Sequence, residues 1–224
     1  MPSSPDQQVV ENAPSTPGEL PLGRLEAFSD GVFAIAITLL VLELSVEAGA
    51  EKHLLHSILH EWPSYLAYVT SFLTIGVIWL QHSAITGSLR TADETLYRLN
   101  LLVLLLASFL PFPTKLVSEF IRETDPERVA VVFYGLTLLA LTLALTAFVR
   151  YAAEHRRLVR DEVEADAVEA ALTHQPSFLL YGIGIAVSFL LPTVAVALYL
   201  ATALYLGIPG RTLHRLLRRW PHRA

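Results

Sequence analysis

The stretch RLEAFSDGVFAIAITLLVLEL, residues 24–44, holds the key to the architecture. It is long enough to cross a bilayer, for which about 20 mostly apolar residues suffice. Yet it opens with Arg24, Glu26, Ser29 and Asp30 before turning almost purely aliphatic. Such groups need partners, because a carboxylate in hydrocarbon costs at least about 2.5 kcal/mol unless it is paired or turned into a bundle interior. On a helical projection with Ile35 at zero, Leu39, Leu42 and Val46 fall within about 40° of it, whereas Asp30 lies at about −140° and Ser29 at about +120°. The aliphatic stripe and the polar pair therefore occupy opposite faces. Trp79 and His82 near the inner end of a second helix, Asn100 near the start of a third, and Arg24 on the same helix are candidates at comparable depth to hold the polar face. The aliphatic face is then free to meet lipid, another helix or something else.

Composition sets the class. The 224-residue chain is 53% hydrophobic and only 17% charged, more apolar mass than one small soluble core requires. Five apolar blocks reach or approach spanning length, at residues 25–46, 62–82, 96–118, 128–149 and 178–208. The preceding segment MPSSPDQQVVENAPSTPGEL lacks the basic start and small-residue cleavage site of a signal peptide and reads as a disordered polar tail. The absence of cysteine excludes disulfides and thiolate metal sites, and a net charge of −5 says little about a chain mostly in lipid.

The block at 178–208 is 31 residues long, generous for one crossing and short for two, with Pro192 at its midpoint. Basic residues break the tie. If the chain turns near Pro192 and the N-terminal tail is cytoplasmic, the inner side holds Arg24, Arg90, Arg98, Arg150, Arg156, Arg157, Arg160 and the five arginines of RTLHRLLRRWPHRA, twelve of the sixteen basic residues. The expectation is thus an all-α integral membrane protein of the plasma membrane with six transmembrane helices and both termini cytoplasmic. A polar tail at 1–22 precedes a transmembrane domain at 23–210, and a basic tail at 211–224 follows it. Thr91 with Glu94 resembles a capping box before the third helix, and Asp125-Pro126 reads as the N-cap and first residue of the fourth.

These residues carry a resemblance. The stretch 24–44 is similar to the first helix of the transmembrane protein 175 family of potassium channels, an Arg-x-x-x-Phe-Ser-Asp pattern followed by an aliphatic helix. Trp79-x-x-His82, Asn100 in YRLNLLVLLL, the run Phe109-Leu110-Pro111-Phe112-Pro113-Thr114 and the segment Ile208-Pro209-Gly210-Arg211 extend the likeness over most of residues 24–211. One copy of the motif is present, so the chain resembles the prokaryotic single-repeat branch. That resemblance implies a homotetramer with the first helix lining a central pore. It further implies that Ile35 forms the narrowest aliphatic ring, Leu39 and Leu42 further rings toward the outside, and Thr38 a nearby polar position. Arg24, Phe28, Ser29, Asp30, Trp79, His82 and Asn100 become a structural polar cluster that holds the helix. Potassium and other monovalent cations would then permeate passively with no cofactor. Nothing resembles a TVGYG carbonyl filter, so selection would rest on constriction and partial dehydration. Gln81 departs from the commoner asparagine of the family, and SAITGS lacks its usual basic residues.

Other features read more plainly. His53, His56 and His60 in EKHLLHSILHEW share one face of a helical outer loop, as a weak zinc site, a proton sensor or merely a solvated face would. Glu43 either concentrates cations at an outer mouth or is an interfacial charge reaching water. EHRRLVRDEVEADAVEAALTHQ reads as a charged extension of the fourth helix, Gly182-Ile183-Gly184 as close helix packing, and the basic C-terminal tail as a match for anionic headgroups. The expected partners are copies of the chain, the bilayer and monovalent cations, and not nucleic acid. The alternative to a channel is a secondary transporter of a cation or small solute, which would show internal repeats and charges near the midplane. Here the ionisable residues gather near the inner boundary and no second copy of the signature is visible. Asp30 and His82 belong with Arg24, Trp79 and Asn100 in a structural cluster more naturally than they form a catalytic pair, so no enzyme is expected.

Overall fold

The computed structural model describes residues 22–44, 54–120, 126–160 and 177–207, which are almost wholly helical. Helix α1 (Leu22–Leu39) runs on into a 3-10 turn, Leu40–Glu43. It starts at the last residue of the segment expected as a tail. After it come α2 (Leu54–His60), α3 (Trp62–Ser88), α4 (Glu94–Phe109), α5 (Pro111–Phe120) and α6 (Pro126–Glu154). Helices α7 (Ser177–Ser188) and α8 (Pro192–Gly207) complete the described chain. Among the described residues, Leu22–Glu43, Trp62–Ser88, Glu94–Phe120 and Pro126–Glu154 are long and apolar enough to cross a membrane, while α7 and α8 are apolar but shorter.

Prolines set several of the boundaries. Proline lacks an N–H and tolerates only the first turn of a helix, where that donor would be unpaired anyway. Pro111 and Pro113 accordingly open α5, so the block expected as one helix at 96–118 is two, joined at Leu110. Pro126 likewise begins α6, whereas Asp125 lies outside the described residues. Pro192 begins α8 after a tight turn in which the Leu190 and Leu191 N–H groups donate back to the Val187 carbonyl at 3.0 and 2.8 Å. Gly184 and Tyr199 lie at similar distances along the chain from that turn and still touch, so α7 and α8 fold back antiparallel. The Thr193 hydroxyl donates to Glu127 at 2.9 Å, which puts this turn beside the N-terminus of α6.

Close packing of α6, α7 and α8 depends on two glycines. A Cβ on Gly135 would collide with the Tyr199 hydroxyl oxygen and one on Gly184 with Tyr199 Cε1, so the tyrosine ring fills a slot that only glycine leaves open. Gly182, expected to act with Gly184, has free space around its Cα. Nearby, the buried Ser71 hydroxyl pairs with Thr114 at 2.7 Å and Tyr134 at 2.8 Å, tying α3 to α5 and α6.

The opposite end is clamped by backbone and charge. The Arg90 N–H donates to the Leu158 carbonyl at 2.8 Å and the Arg160 N–H to the Ser88 carbonyl at 3.1 Å, a short antiparallel contact between the ends of α3 and α6. Asp93 is the hub. Its Oδ1 accepts the Leu96 N–H at 3.0 Å as the N-cap of α4, while Oδ2 accepts from the Tyr151 hydroxyl at 2.9 Å and Arg157 Nη2 at 3.2 Å. The cap is therefore Asp93 and not Thr91, since a carboxylate can satisfy a helix N-terminus and an arginine together. The expected outer segment around His53, the charged run beyond Arg160 and residues 208–224 lie outside the described residues.

Two tests follow from this packing. Gly135→Ala should destabilise the detergent-solubilised protein by about 1–3 kcal/mol through overpacking, and adding Tyr199→Phe should restore part of the lost melting temperature. The second test concerns Asp93, which partial burial works to raise. The Leu96 N–H, the Tyr151 hydroxyl and the Arg157 guanidinium outweigh that effect and hold the carboxyl below the usual range. A depressed native pKa adds stability above the unfolded value of about 4 and loses it as pH falls through the native value. Asp93→Asn should thus melt earlier than wild type near neutral pH, and the gap should close on acidification below about pH 4.

Candidate functional site

Helix α1 has one covered and one bare face. Leu25, Ser29, Phe33, Ala36 and Leu40 recur every three or four residues and are buried, the α1 positions against α3 and α4 and Leu40 on the 3-10 turn against α3 and α5. On the other side Phe28 is 56% exposed, Ile35 59%, Leu39 40% and Leu42 71%. Arg24, Gly31 and Thr38 are exposed with them. Arg24, Phe28, Gly31, Ile35, Leu39 and Leu42 lie within about 40° of a single line along the helix. The Thr38 hydroxyl is spent locally, donating to the Ile35 carbonyl at 2.9 Å.

The covered face is fixed by a buried polar chain. Asn100 Nδ2 donates to Ser29 Oγ at 3.0 Å, and the Ser29 hydroxyl donates to the Leu25 carbonyl at 2.7 Å. Asn100 Oδ1 is left to accept, and His82 Nε2 sits 2.6 Å from it. His82 therefore carries its proton on Nε2. Its ring stacks on Phe148 with centroids 5.2 Å apart and meets Phe33 edge-on at 5.4 Å. Ser29, His82 and Asn100 are all shut off from the surface.

Asp30 takes a different partner. Its Oδ1 accepts from Trp79 Nε1 at 2.8 Å, in a pair that remains exposed. The expected single cluster is thus a buried triad, Ser29, His82 and Asn100, and a separate surface pair, Asp30 and Trp79. Arg24 and Phe28 join neither. Arg24 lies near enough to Tyr97 of α4 for its charge to act there, and Phe28 points out on the bare face. Phe28 stands two turns before Ile35, and that spacing is the signal by which it could have been assigned to the bare face.

The features expected on the outer side are sparse. Glu43 is half-buried on the 3-10 turn. His56 and His60 stack with centroids 5.7 Å apart on the exposed helix α2, and among the described residues no three histidine, aspartate or glutamate side chains converge as a metal site. His53 lies outside the described residues.

Fold and site together define a multi-pass helical membrane protein whose first helix is bolted to its neighbours through buried polar groups and presents an unpartnered aliphatic face. The family model described as the endosomal/lysosomal potassium channel TMEM175 matches residues 24–111. A potassium channel of Streptomyces collinus is 38% identical over 187 residues, covering 83% of this chain and 91% of its own. One of Chamaesiphon minutus is 37% identical over 197 residues, covering 86% and 96% respectively. The crystal structure of a lysosomal potassium-selective channel TMEM175 homologue from Chamaesiphon minutus superposes with a TM-score of 0.73 at 38% identity, over 83% of this chain and 95% of that one. The chain belongs to the TMEM175 family.

The triad makes a graded prediction. Asn100→Ala strands buried partners on two other helices and should cost about 1–3 kcal/mol. Trp79→Phe removes one exposed hydrogen bond and should cost about 1 kcal/mol or less. Thermal unfolding of the two purified variants checks the order.

Proposed function

We infer that the chain is a potassium channel, conducting passively along the bare face of α1. The observation that carries this reading is the division of α1, with Ser29 locked to Asn100 on one side and Ile35, Leu39 and Leu42 uncovered on the other. Four copies arranged about an axis would bring those uncovered faces together, Ile35 as the narrowest ring, Leu39 and Leu42 beyond it and Thr38 beside them. The potassium-channel names of relatives matched over most of their length support the same reading.

Aliphatic carbons offer an ion no substitute for the water it sheds, so the ring would select by ease of partial dehydration and close by dewetting. Selectivity of this kind is weaker than that of a carbonyl filter. Helices α7 and α8 would serve as the fifth and sixth spans, shortened by the Pro192 turn. The arginines at the Asp93 end would face the cytoplasm of a plasma-membrane channel, and Glu43 would sit toward the outer mouth.

Ion flux in liposomes under opposed potassium and sodium gradients tests this. Wild type should pass potassium faster than sodium. Ile35→Asn should hydrate the constriction, raising total flux and eroding the preference. Slow saturable uptake in place of passive flux would overturn the reading.

A further inference from the structure

We propose that Phe28 and Gly31 form the wall of a wide inner chamber of the pore, a binding site for a large organic monovalent cation of the quaternary ammonium class. The proposal rests on the central-pore reading. Phe28 precedes Ile35 by two helical turns, about 10 Å along the axis, and shares its bare line. It is not held by Ser29, Asp30 or their partners, and its side chain is free to face a lumen. Gly31 lies between the two on the same line, where a Cβ would meet nothing within 4 Å. Packing inside the chain thus makes no demand for glycine there, although glycine is a worse helix former than alanine. Space outside the chain is what the missing side chain provides.

Symmetry turns these positions into layers. Ile35 rings close the chamber on one side, Gly31 widens its middle, and Phe28 rings surround its other end. Aromatic faces carry negative quadrupole and bind quaternary ammonium groups, whose bulk Ile35 would stop. Arg24, one turn nearer the entrance, repels any arriving cation, so affinity must come from the rings.

The chain has no cysteine, so a single introduced thiol reports alone. Single-channel or macroscopic current in planar bilayers is measured with tetraethylammonium chloride applied to each side in turn. Wild type should show reversible block from one side only. Phe28→Leu should weaken that block by about tenfold or more, and Phe28→Tyr should keep it within about threefold. Gly31→Val fills the chamber and should weaken block comparably with Phe28 still in place. In Phe28→Cys, a cationic methanethiosulfonate reagent from the same side should abolish current. Absence of block in wild type, equal block in Phe28→Leu, or a thiol in Phe28→Cys that the reagent never reaches would each overturn the proposal. If Ile35→Asn still changes the potassium preference in that case, the chamber alone falls. If neither position touches the current, the pore reading falls with it.

Discussion

The carboxamide of Asn100 sets the rotation of α1 about its own axis. In a bilayer, lipid tails are as apolar as leucine, so an aliphatic helix gains little by turning one leucine face rather than another toward its neighbours. Hydrogen bonds break that indifference. With no water to replace a lost partner, the Ser29 hydroxyl and the His82 ring are satisfied in one orientation, through the two ends of a single amide. Every residue on the far side of α1 inherits its exposure from that choice, Ile35 and Phe28 among them.

Asn100 is itself held in place at a distance. Two turns earlier, Asp93 caps α4 and is gripped by Tyr151 and Arg157 from the end of α6, while α3 and α6 exchange backbone hydrogen bonds beside it. The same α6 supplies Phe148 under the His82 ring. Position and orientation of the triad therefore come from one clamp at the arginine-rich end. At the other end, the Tyr199 slot and the Ser71 hydroxyl cluster brace α6 against α3, α5, α7 and α8. Helix α1 is thus mounted on a braced scaffold.

Much of this was legible beforehand. The apolar blocks, the break at Pro192 and the opposition of Ile35 to Ser29 follow from span length, proline chemistry and helical geometry. Trp79, His82 and Asn100 stood out because polar side chains at membrane depth demand partners. Three features did not stand out. Thr91 and Asp93 are both good caps, and the choice of Asp93 required Tyr151 and Arg157, more than fifty residues away. Helix α4 stops at Leu110 because Pro111 starts a new helix, though the hydropathy continues unbroken. Phe28 sits in a motif with Ser29 and Asp30, yet adjacent residues on a helix point about 100° apart.

Period and polarity are properties of a single helix, so the residues of α1 alone settle that it has two faces and that one of them needs hydrogen-bond partners. Which donor meets which acceptor is a property of several helices at once. Asp30 could have joined His82 or Asn100; in the fold it takes Trp79 at the surface, and Ser29 takes the buried amide. A helical wheel carries no information about that competition, since it depends on the distances that α3, α4 and α6 impose when they pack.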